Sequence, residues 1–435
     1  MDTKQLRQKI LDLAIRGKLV PQDPNNEPAS VLLARVKAEK ERLIAEGKIK
    51  RSKKTATTTD KPHYPFEIPN TWVWSTLGEL FILQAGKNIT ADKINYEKND
   101  EYRYPCYGGN GIRGYVVHYN KSGKYPVIGR QGALCGNLNY VEGKFYATEH
   151  AVPVETFAET IPYLAFLFLK QINLNQYATA TAQPGLSVNK ILDVPIPLPP
   201  KEEQARIVQE VLRLEAIVES IETNKEELFE SLSKVKATIL EYAISGKLVP
   251  QDPADEPAAD LLQRVNPNAV VSADTSHYQH LPQGWCVCKL EDIVDYEQPQ
   301  RYIVESTEYS EAYKTPVLTA GKSFVIGHTN ETAGVFDKVP VIIFDDFTTD
   351  SKYVDFPFKV KSSAMKILHV KNGVNIKYVY FFMSITRLVG KTHKRYWISE
   401  YSKLDIPLPP YNEQCRIVDA IERINNRIDD IAEAL

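Results

Sequence analysis

The sequence has no long apolar run, no pairing pattern among its cysteines and no excess of charge of either sign. Its longest apolar stretch, IPYLAFLFL at residues 161–169, is far shorter than the roughly 20 residues of a membrane-spanning helix. Residues 1–14 lack the apolar core and the small-residue cleavage site of a secretory signal. We therefore expect a cytoplasmic protein without a membrane partner.

Cysteine usage and net charge narrow the class further. The cysteines are odd in number and scattered, which is typical of reduced thiols. They are Cys106, Cys135, Cys286, Cys288 and Cys415. A single CxC without a second pair is weak evidence for zinc, so we expect no metal site. Because the net charge is only −2, a polyanionic partner would have to be met by local basic patches.

A complete catalytic motif is also missing, although several fragments resemble one. LPPY at residues 408–411 has leucine where an amino-methyltransferase needs a polar residue to accept hydrogen bonds from the target amine. AGKSF at 320–324 follows Pro316, which stands where a P-loop needs its first glycine. FDDFTTDSK at 344–352 has nuclease-like carboxylates in one short stretch, and His150 lacks a nucleophile motif nearby. We expect no catalytic residue and no cofactor bound by this chain.

What the sequence does contain is an internal duplication. The octapeptide GKLVPQDP occurs at residues 17–24 and again at 246–253. IPLPPKEEQARIV at 196–208 returns as IPLPPYNEQCRIV at 406–418. Two weaker pairs keep a similar separation: PNTWVWSTLGEL (69–80) with PQGWCVCKLEDI (282–293), and PYLAFLFLKQIN (162–173) with KYVYFFMSITRL (377–388). The two halves of the chain therefore follow one plan.

A heptad ladder predicts the element that joins the halves. Residues 202–245 place apolar side chains in steps of three and four without a break, which predicts one long helix that ends at Gly246. The ladder of residues 417–435 copies its first half, and the ladder of residues 6–13 copies its second half. We expect an antiparallel helix pair that buries both stripes. Helices packed independently into globular cores are the alternative.

The segments between the helices are rich in Tyr, Val, Ile and Gly, with short alternating runs and turn signals, which predicts an α+β domain in each. The predicted fold class is α+β, with two domains related by a pseudo-twofold axis and separated by long helices that form an antiparallel coiled-coil spacer. The predicted boundaries are 1–24 (N-terminal spacer helix), 25–63 (helical and basic linker), 64–200 (first domain), 201–253 (central spacer helix), 254–277 (linker), 278–410 (second domain) and 411–435 (C-terminal spacer helix).

Two PPxxEQxxIV blocks, at 199–208 and 409–418, each lead into a heptad helix, and each domain opens on a tryptophan segment. These features resemble the DNA-specificity (S) subunit of type I restriction-modification enzymes over essentially the whole chain. The resemblance implies two target-recognition domains, each reading half of an asymmetric bipartite site, and helices that set the spacing and dock methyltransferase subunits. It implies double-stranded DNA, two methyltransferase (M) subunits and restriction (R) subunits as partners. S-adenosylmethionine, ATP and Mg²⁺ would belong to those partner subunits.

Base-contacting residues are predicted from side-chain chemistry alone, because Arg and Lys can reach guanine, and Asn and Gln adenine. The first-domain candidates are Asn110, Arg113, Arg130 and Gln131. The second-domain candidates are Gln298, Gln300, Arg301, Lys322, Lys361, Lys394 and Arg395. Each could equally be a phosphate contact or a solvated residue. For partner docking we expect the spacer surface, with helix capping as the alternative; it includes Glu203, Gln204, Arg206, Glu413, Gln414 and Arg416.

Other classes of function remain open on the sequence. A stand-alone nuclease or methyltransferase would need the motifs that are missing. A coiled-coil adaptor for proteins would explain the helices but leave two unlike, turn-rich domains without a purpose. The specificity part of another class of restriction-modification system is a third alternative. Salt-sensitive DNA binding distinguishes a DNA reader from an adaptor.

Overall fold

The structure, a computed structural model, describes residues 2–49, 65–132, 134–157, 159–179, 184–272, 278, 280–319, 323–388 and 394–435. The chain divides into two compact units, Met1–Asn224 and Lys225–Leu435. Residues 50–63 of the predicted helical and basic linker and the candidate Lys322 lie outside the described residues.

The first unit combines helices from both ends of its segment with a mostly antiparallel sheet. Its helices are α1 (Thr3–Ile15), α2 (Ala29–Ala45), α3 (Leu77–Leu80), α4 (Pro162–Ile172), α5 (Val188–Ile191) and the first part of α6 (Lys201–Ile244). Its strands are β1 (Val73–Thr76), β2 (Ile82–Leu83), β3 (Tyr104–Gly108), β4 (Gly111–Val116), β5 (Lys121–Gly129), β6 (Leu138–Ala147), β7 (Ala151–Glu155) and β8 (Pro195–Leu198). Short 3-10 helices span Ala91–Lys93 and Leu174–Tyr177.

The strand order of the main sheet is β2-β7-β5-β6-β3-β4. Only the pairing of β3 with β6 is parallel. Helix α4 is apolar apart from Lys170 and Gln171 in its last turn, and it packs against β5 and β6, as a helix without a polar face requires. It starts with Pro162 in its first turn and stops at Asn173, whose φ of 55° is left-handed. A separate ribbon pairs β1 with β8 and sets Val73 opposite Leu198.

The second unit has different sheets on a similar frame. Its helices after α6 are α7 (Ala258–Val265), α8 (Leu290–Ile293), α9 (Ile376–Ile385) and α10 (Tyr411–Glu433). Its strands are β9 (Cys286–Lys289), β10 (Val294–Glu297), β11 (Thr315–Leu318), β12 (Val325–Thr329), β13 (Val341–Asp345), β14 (Ser351–Val354), β15 (Lys359–Val360), β16 (Met365–Val370) and β17 (Asp405–Leu408). Short 3-10 helices span Pro299–Tyr302 and Tyr401–Lys403.

Its strands form a four-stranded antiparallel sheet, β10-β16-β13-β14, and a three-stranded sheet, β12-β11-β15, in which β11 and β15 are parallel. A two-stranded ribbon pairs β9 with β17 and sets Cys286 opposite Leu408. Those residues match Val73 and Leu198 of the first unit in the duplicated sequence, so the ribbon has the same register in both units.

The predicted antiparallel helix pairing is confirmed within each unit. Helix α6 is 44 residues long. In the first unit, Arg7 of α1 forms ion pairs with Glu215 (3.4 Å) and Glu222 (2.7 Å) of α6. In the second, Lys236 of α6 pairs with Asp429 of α10 at 2.6 Å. The buried faces are apolar, with members such as Ile10, Ala14, Ile207 and Val211 in one unit and Ile239, Ala243, Ile417 and Ile421 in the other. The α+β fold class is also confirmed.

The structure differs from the expected linker at 254–277, because α7 forms there. Leu261 and Leu262 of α7 are fully buried, so the apolar face of this short amphipathic helix belongs to the core of its unit. Helix α2 has the same place in the first unit: Ala29 N–H donates to Thr71 O and Ala258 N–H to Gly284 O. Among the described residues, no helix has both the length and the apolar character needed to cross a bilayer.

Candidate nucleic-acid interface

The duplicated sequence blocks meet at one place in each unit, which we call the joint. The joint of the first unit contains Gly17, Gln22, Trp72, Glu203 and Gln204. The joint of the second contains Gly246, Gln251, Trp285, Glu413 and Gln414. In both, the octapeptide, the tryptophan of the domain opening and the Glu-Gln pair of the PPxxEQ block come together.

The glycine of the octapeptide lets the chain leave its helix at the joint. Gly17 has a φ of 66° and Gly246 a φ of 69°, a left-handed conformation that costs glycine little. A Cβ atom on Gly17 would lie 2.5 Å from Cγ of Pro69 and 3.1 Å from the Trp72 ring. Any larger residue would therefore separate the helix end from the domain opening.

The glutamine of the octapeptide ties this helix end to the next block. Gln22 Nε2 donates to Gly17 O (3.1 Å) and to Glu203 Oε1 (2.6 Å). Gln251 Nε2 makes the equivalent bonds to Gly246 O (2.8 Å) and Glu413 Oε1 (3.0 Å). One amide therefore bonds a carbonyl at the helix end and one oxygen of a buried carboxylate, which gives the glutamine of the octapeptide the same role in both halves.

Gln204 and Gln414 complete the joints. Gln204 Nε2 donates to Pro199 O (3.2 Å), and its Oε1 accepts the N–H of Ile161 at the start of α4 (3.0 Å). Gln414 repeats both bonds, with Pro409 O (2.8 Å) and the N–H of Asn375 at the start of α9 (2.8 Å). Each amide thus joins the ribbon, the spacer helix and the apolar helix of its unit.

These positions correct one expectation from the sequence. Glu203, Gln204, Glu413 and Gln414 were expected on the spacer surface, but each is at most 1% exposed. Their polar atoms are needed inside the unit, so these four side chains are not available to a partner. Arg206 and Arg416 are only partly buried, and a docking role for the spacer surface around them stays a prediction.

Burial raises the pKa of Glu203 and Glu413 above the usual glutamate range, because nearby donors stabilise the charged form less than burial destabilises it. The folded state therefore binds these protons more tightly than the unfolded chain. Their stabilising contribution is present below the unfolded pKa and is lost as the pH rises through the raised, folded pKa. We expect Glu203→Gln/Glu413→Gln to flatten the pH dependence of the free energy of unfolding from the pKa of an unfolded glutamate, about 4.3, up to the raised folded pKa. Urea titrations of both proteins across that range measure it; parallel curves would contradict it.

The two joints differ at one duplicated position. In the second unit, Asp255 is 5% exposed and pairs with Arg416 at 2.8 Å. Asn412 Nδ2 also donates to Asp255 at 3.0 Å. In the first unit the corresponding residues are Asn26, Arg206 and Glu202. Asn26 Nδ2 and Arg206 Nη2 are buried without a hydrogen-bond partner among the described residues. The second joint therefore has an ion pair that the first lacks.

We expect Asp255→Asn to lower the free energy of unfolding of the second unit by about 1 kcal/mol, since Arg416 is about a third exposed and its ion pair is partly screened. Asn26→Asp is the matched variant. It supplies Arg206 with a carboxylate and should stabilise the first unit by a smaller amount, because the nearby Glu202 repels the new charge. Hydrogen exchange resolved by peptide measures each unit. If either substitution changed hydrogen exchange mainly in the unit that does not carry it, the assignment of the ion pair to the second joint would be contradicted.

The first unit has a cleft that brings together three of its four predicted base-contacting residues. The cleft has a volume of about 440 Å³ and is lined by Gly109, Asn110, Arg113, Gln131, Gly132, His150 and Pro184. Asn110 lies in the turn between β3 and β4, Gln131 follows β5, and both side chains are exposed. A Cβ atom on Gly109 would lie 2.7 Å from Gln131 O, so glycine permits the two turns to approach this closely.

The cleft presents cationic and amide groups side by side. Exposed Arg113 extends across Gly108, where a Cβ atom would lie 2.5 Å from its Cδ. His150, which has no nucleophile motif nearby in the sequence, lies in the same cleft with Nε2 3.2 Å from Glu149 Oε1. Arg130, the fourth candidate, is partly buried and donates to Glu149 O at 3.4 Å. Arg130 is not among the residues that line the cleft.

The second-unit candidates lie on three exposed segments. Gln298 precedes the 3-10 helix Pro299–Tyr302, which contains Gln300 and Arg301. Lys361 follows β15, and Lys394 and Arg395 lie between α9 and β17. All of the described candidates are exposed. Lys394 forms an ion pair with Glu400, and the hydrogen bond to that carboxylate raises the pKa of Lys394.

The carboxylates of FDDFTTDSK have structural partners. Asp345 Oδ1 accepts the N–H groups of Phe347 (2.8 Å) and Thr348 (3.0 Å) and so closes the β13–β14 turn. Asp346 pairs with Lys366, and Asp350 with Arg387 at 2.8 Å. In the part of the chain that the structure describes, no group of three His, Cys, Asp or Glu side chains could hold a metal ion.

Comparisons with known proteins agree with one another. A family model described as "Type I restriction modification DNA specificity domain" matches residues 69–230 and 282–435, more than half of the chain. The specificity subunit of the type I restriction enzyme EcoprrI from Escherichia coli is 45% identical over 146 residues, which is 34% of this chain and 36% of that protein. That of EcoEI, also from Escherichia coli, is 30% identical over 379 residues, covering 67% of this chain and 62% of that protein.

The match therefore spans between about a third and three-fifths of the length of these relatives. A solved structure described as the basis of complex assembly and conformational transition of the type I R-M system is 17% identical, with a TM-score of 0.58. It covers 85% of this chain and 94% of that one. At this identity the likeness concerns the fold.

Proposed function

Because this chain belongs to the type I restriction-modification DNA specificity family, we propose that it selects the DNA target of a type I complex, with each unit reading one half of an asymmetric bipartite site. The observation that carries the proposal is the contrast within the chain. The joints, the ribbons and the helix pairs are alike in both units, whereas the sheets between them are unlike. A common frame with two different surfaces suits a protein that recognises two different short sequences.

The chemistry of the exposed candidates supports DNA as the ligand. The first-unit cleft offers an arginine and two amides, the groups that recognise guanine and adenine by paired hydrogen bonds in the major groove. The second unit offers exposed lysine, arginine and glutamine side chains on three segments. Since the net charge is only −2, such local groups must supply the attraction to phosphate.

The helices would fix the separation of the two half-sites. At ~1.5 Å per residue, a helix of 44 residues is ~66 Å long, which limits the separation to roughly 20 base pairs. The spacer surface would dock two methyltransferase subunits, and restriction subunits would complete the complex in the cytoplasm. S-adenosylmethionine, ATP and Mg²⁺ would act in those partners, since specificity subunits are in general not catalytic.

Single-molecule methylome sequencing tests the proposal. The chain is expressed with a type I methyltransferase subunit in a host free of DNA methylation, and residues 64–200 and 278–410 are exchanged separately for those of another specificity subunit. We expect a bipartite N6-methyladenine motif, with each exchange changing one half only. No new motif, with the partner folded and bound, would instead favour a coiled-coil adaptor for proteins.

A further inference from the structure

We propose that Asp346 is a positioning residue for DNA recognition by the second unit, because it holds the exposed segments that carry the candidate base-contacting residues in one arrangement. The proposal rests on the proposed function, since it concerns how that unit reads its half-site. It also gives a role to the FDDFTTDSK segment, which has the composition of a nuclease motif but no cluster of metal ligands among the described residues.

Asp346 uses all of its polar groups, although it is only 2% exposed. Its N–H donates to Ala364 O (3.0 Å), and its carbonyl accepts the N–H of Tyr396 (2.9 Å). Its carboxylate accepts the N–H of Trp397 at Oδ1 (2.8 Å), and Oδ2 lies 3.3 Å from Lys366 Nζ. One residue of the β13–β14 turn is therefore bonded to two chain segments that are distant in sequence.

Both of these segments carry candidate base-contacting residues. Lys394 and Arg395 directly precede Tyr396, so the two bonds from residues 396 and 397 to Asp346 fix where their backbone leaves the core. Lys361 belongs to the turn that ends at Ala364, whose carbonyl accepts the N–H of Asp346. Moving Asp346 would displace both exposed segments together.

The third segment, which begins at Tyr296, contacts the same ion pair and its neighbour Trp397 through an aromatic ring. The Tyr296 ring lies 5.7 Å from Lys366 Nζ and 6.3 Å from the Trp397 ring. Gln298, Gln300 and Arg301 follow Tyr296 within five residues. Cation–π and edge-to-face contacts at these distances are attractive. The three segments thus converge on one buried ion pair.

The same turn also holds the chain on the other side of residues 389–393, of which the structure describes nothing. Thr349 Oγ1 accepts the N–H of Leu388 at 3.2 Å, and Asp350 pairs with Arg387 at 2.8 Å. Leu388 and Tyr396 are therefore both bonded to the β13–β14 turn. This turn fixes both described ends of the connection that leads to Lys394 and Arg395.

Energetics favour a positioning role over a stabilising one. Lys366 is 1% exposed, and a buried ion pair is often no more stabilising than apolar residues of the same volume, because both charges must be desolvated. Such a pair instead favours one arrangement of the chain, because any other arrangement leaves a buried charge without its partner. A single fixed arrangement suits a surface whose exposed side chains must contact base edges at fixed positions.

The test measures half-site discrimination in the complex with methyltransferase subunits. The probes are a fluorescein-labelled duplex carrying the motif identified by methylome sequencing and two duplexes in which one half-site is scrambled. We expect Asp346→Ala to reduce discrimination at the second half-site at least tenfold and to leave discrimination at the first unchanged. Asp346→Asn keeps an oxygen for the Trp397 N–H and should stay within about threefold of the original protein.

Tyr378→Phe is the matched control for lost stability. It removes another buried hydrogen bond of the second unit, from Tyr378 Oη to Pro407 O at 2.6 Å, and should leave both discriminations intact. An equal loss in this control would reduce the Asp346 effect to general destabilisation and overturn the proposal. Full discrimination in folded Asp346→Ala would overturn it as well.

If Asp346→Ala lowers the Tm further than Tyr378→Phe does, the comparison passes to the double variant Asp346→Asn/Lys366→Met, which removes the ion pair without leaving a buried charge unpaired. That variant keeps the Trp397 hydrogen bond and most of the packing, and we expect it to lose about threefold at the second half-site; no loss would contradict the proposal. The proposed function fails differently. In that case the unaltered protein itself distinguishes neither scrambled duplex, and the positioning proposal falls with it.

Discussion

Gln414→Leu is expected to lower the free energy of unfolding of the second unit by about 3 kcal/mol. The side chain is fully buried and bonds Pro409 O and the N–H of Asn375, each at 2.8 Å. Leucine fills the space but leaves both backbone groups unpaired, at about 1–3 kcal/mol each. For a unit of this size the change corresponds to roughly 6–12 °C in Tm. Calorimetry and peptide-resolved hydrogen exchange measure it.

The duplication supplies the matched variant. Gln204→Leu should cost the first unit a similar amount, because Gln204 makes the same pair of bonds to Pro199 O and the Ile161 N–H. Gln209→Leu is the control for the substitution itself, since Gln209 is exposed on the same helix. Exchange should rise at the start of α9 in one variant and at the start of α4 in the other. A loss of protection confined to the altered helix turn would contradict a role in joining elements.

The frame of the molecule could be predicted from the sequence because its signals are periodic and repeated. The apolar ladder of residues 202–245 predicts α6 to within a residue at each end. The matching ladders at the two termini predict antiparallel partners, which occur within both units. Periodicity of this kind predicts a helix with one apolar face. It does not predict burial at every position, since Leu228, Val235 and Tyr242 of the ladder are exposed.

The joints could not be derived in the same way. The Glu-Gln pair was visible twice, but the partners of its glutamine are a carbonyl five residues back and an N–H about forty residues back, and its glutamate accepts from the glutamine of the octapeptide. No local pattern connects such groups, so a surface role was expected for side chains that are in fact buried. One signal was available: EPASVLLARV at 27–36 recurs as EPAADLLQRV at 256–265. That extension places α7 in the repeat rather than in a linker.

Some residues of the candidate interface could be predicted from the sequence, and others could not. Asn110, Arg113 and Gln131 were selected by side-chain chemistry, and the structure brings them into one cleft. His150 joins them because β7 pairs with β5 next to the turn that carries Gln131, a register that side-chain chemistry does not reveal. In the second unit, side-chain chemistry predicted candidates on three exposed segments, but it did not predict a role for Asp346. A buried carboxylate that acts through backbone bonds has no sequence signature.

Arg113→Ala is expected to weaken binding of the complex to its complete site by about 10- to 100-fold, because one bidentate contact to guanine contributes about 1–3 kcal/mol. If Arg113 reads a base, the methylated motif loses its preference at one position of one half-site, and the other half is unchanged. Methylome sequencing and fluorescence anisotropy with matched duplexes measure both effects. The control is Arg103→Ala, an exposed arginine outside the cleft that lies 6.0 Å from the Tyr104 ring.

Salt dependence separates the two ways in which Arg113 can contact DNA. A contact to phosphate would leave the motif intact, weaken all duplexes alike and reduce the slope of log K against log salt by about one. A contact to a base edge would relax the motif while changing that slope little. Unchanged affinity, slope and motif in Arg113→Ala would remove the cleft from the interface, and the first unit would then have to read DNA with a surface other than the one its turns bring together.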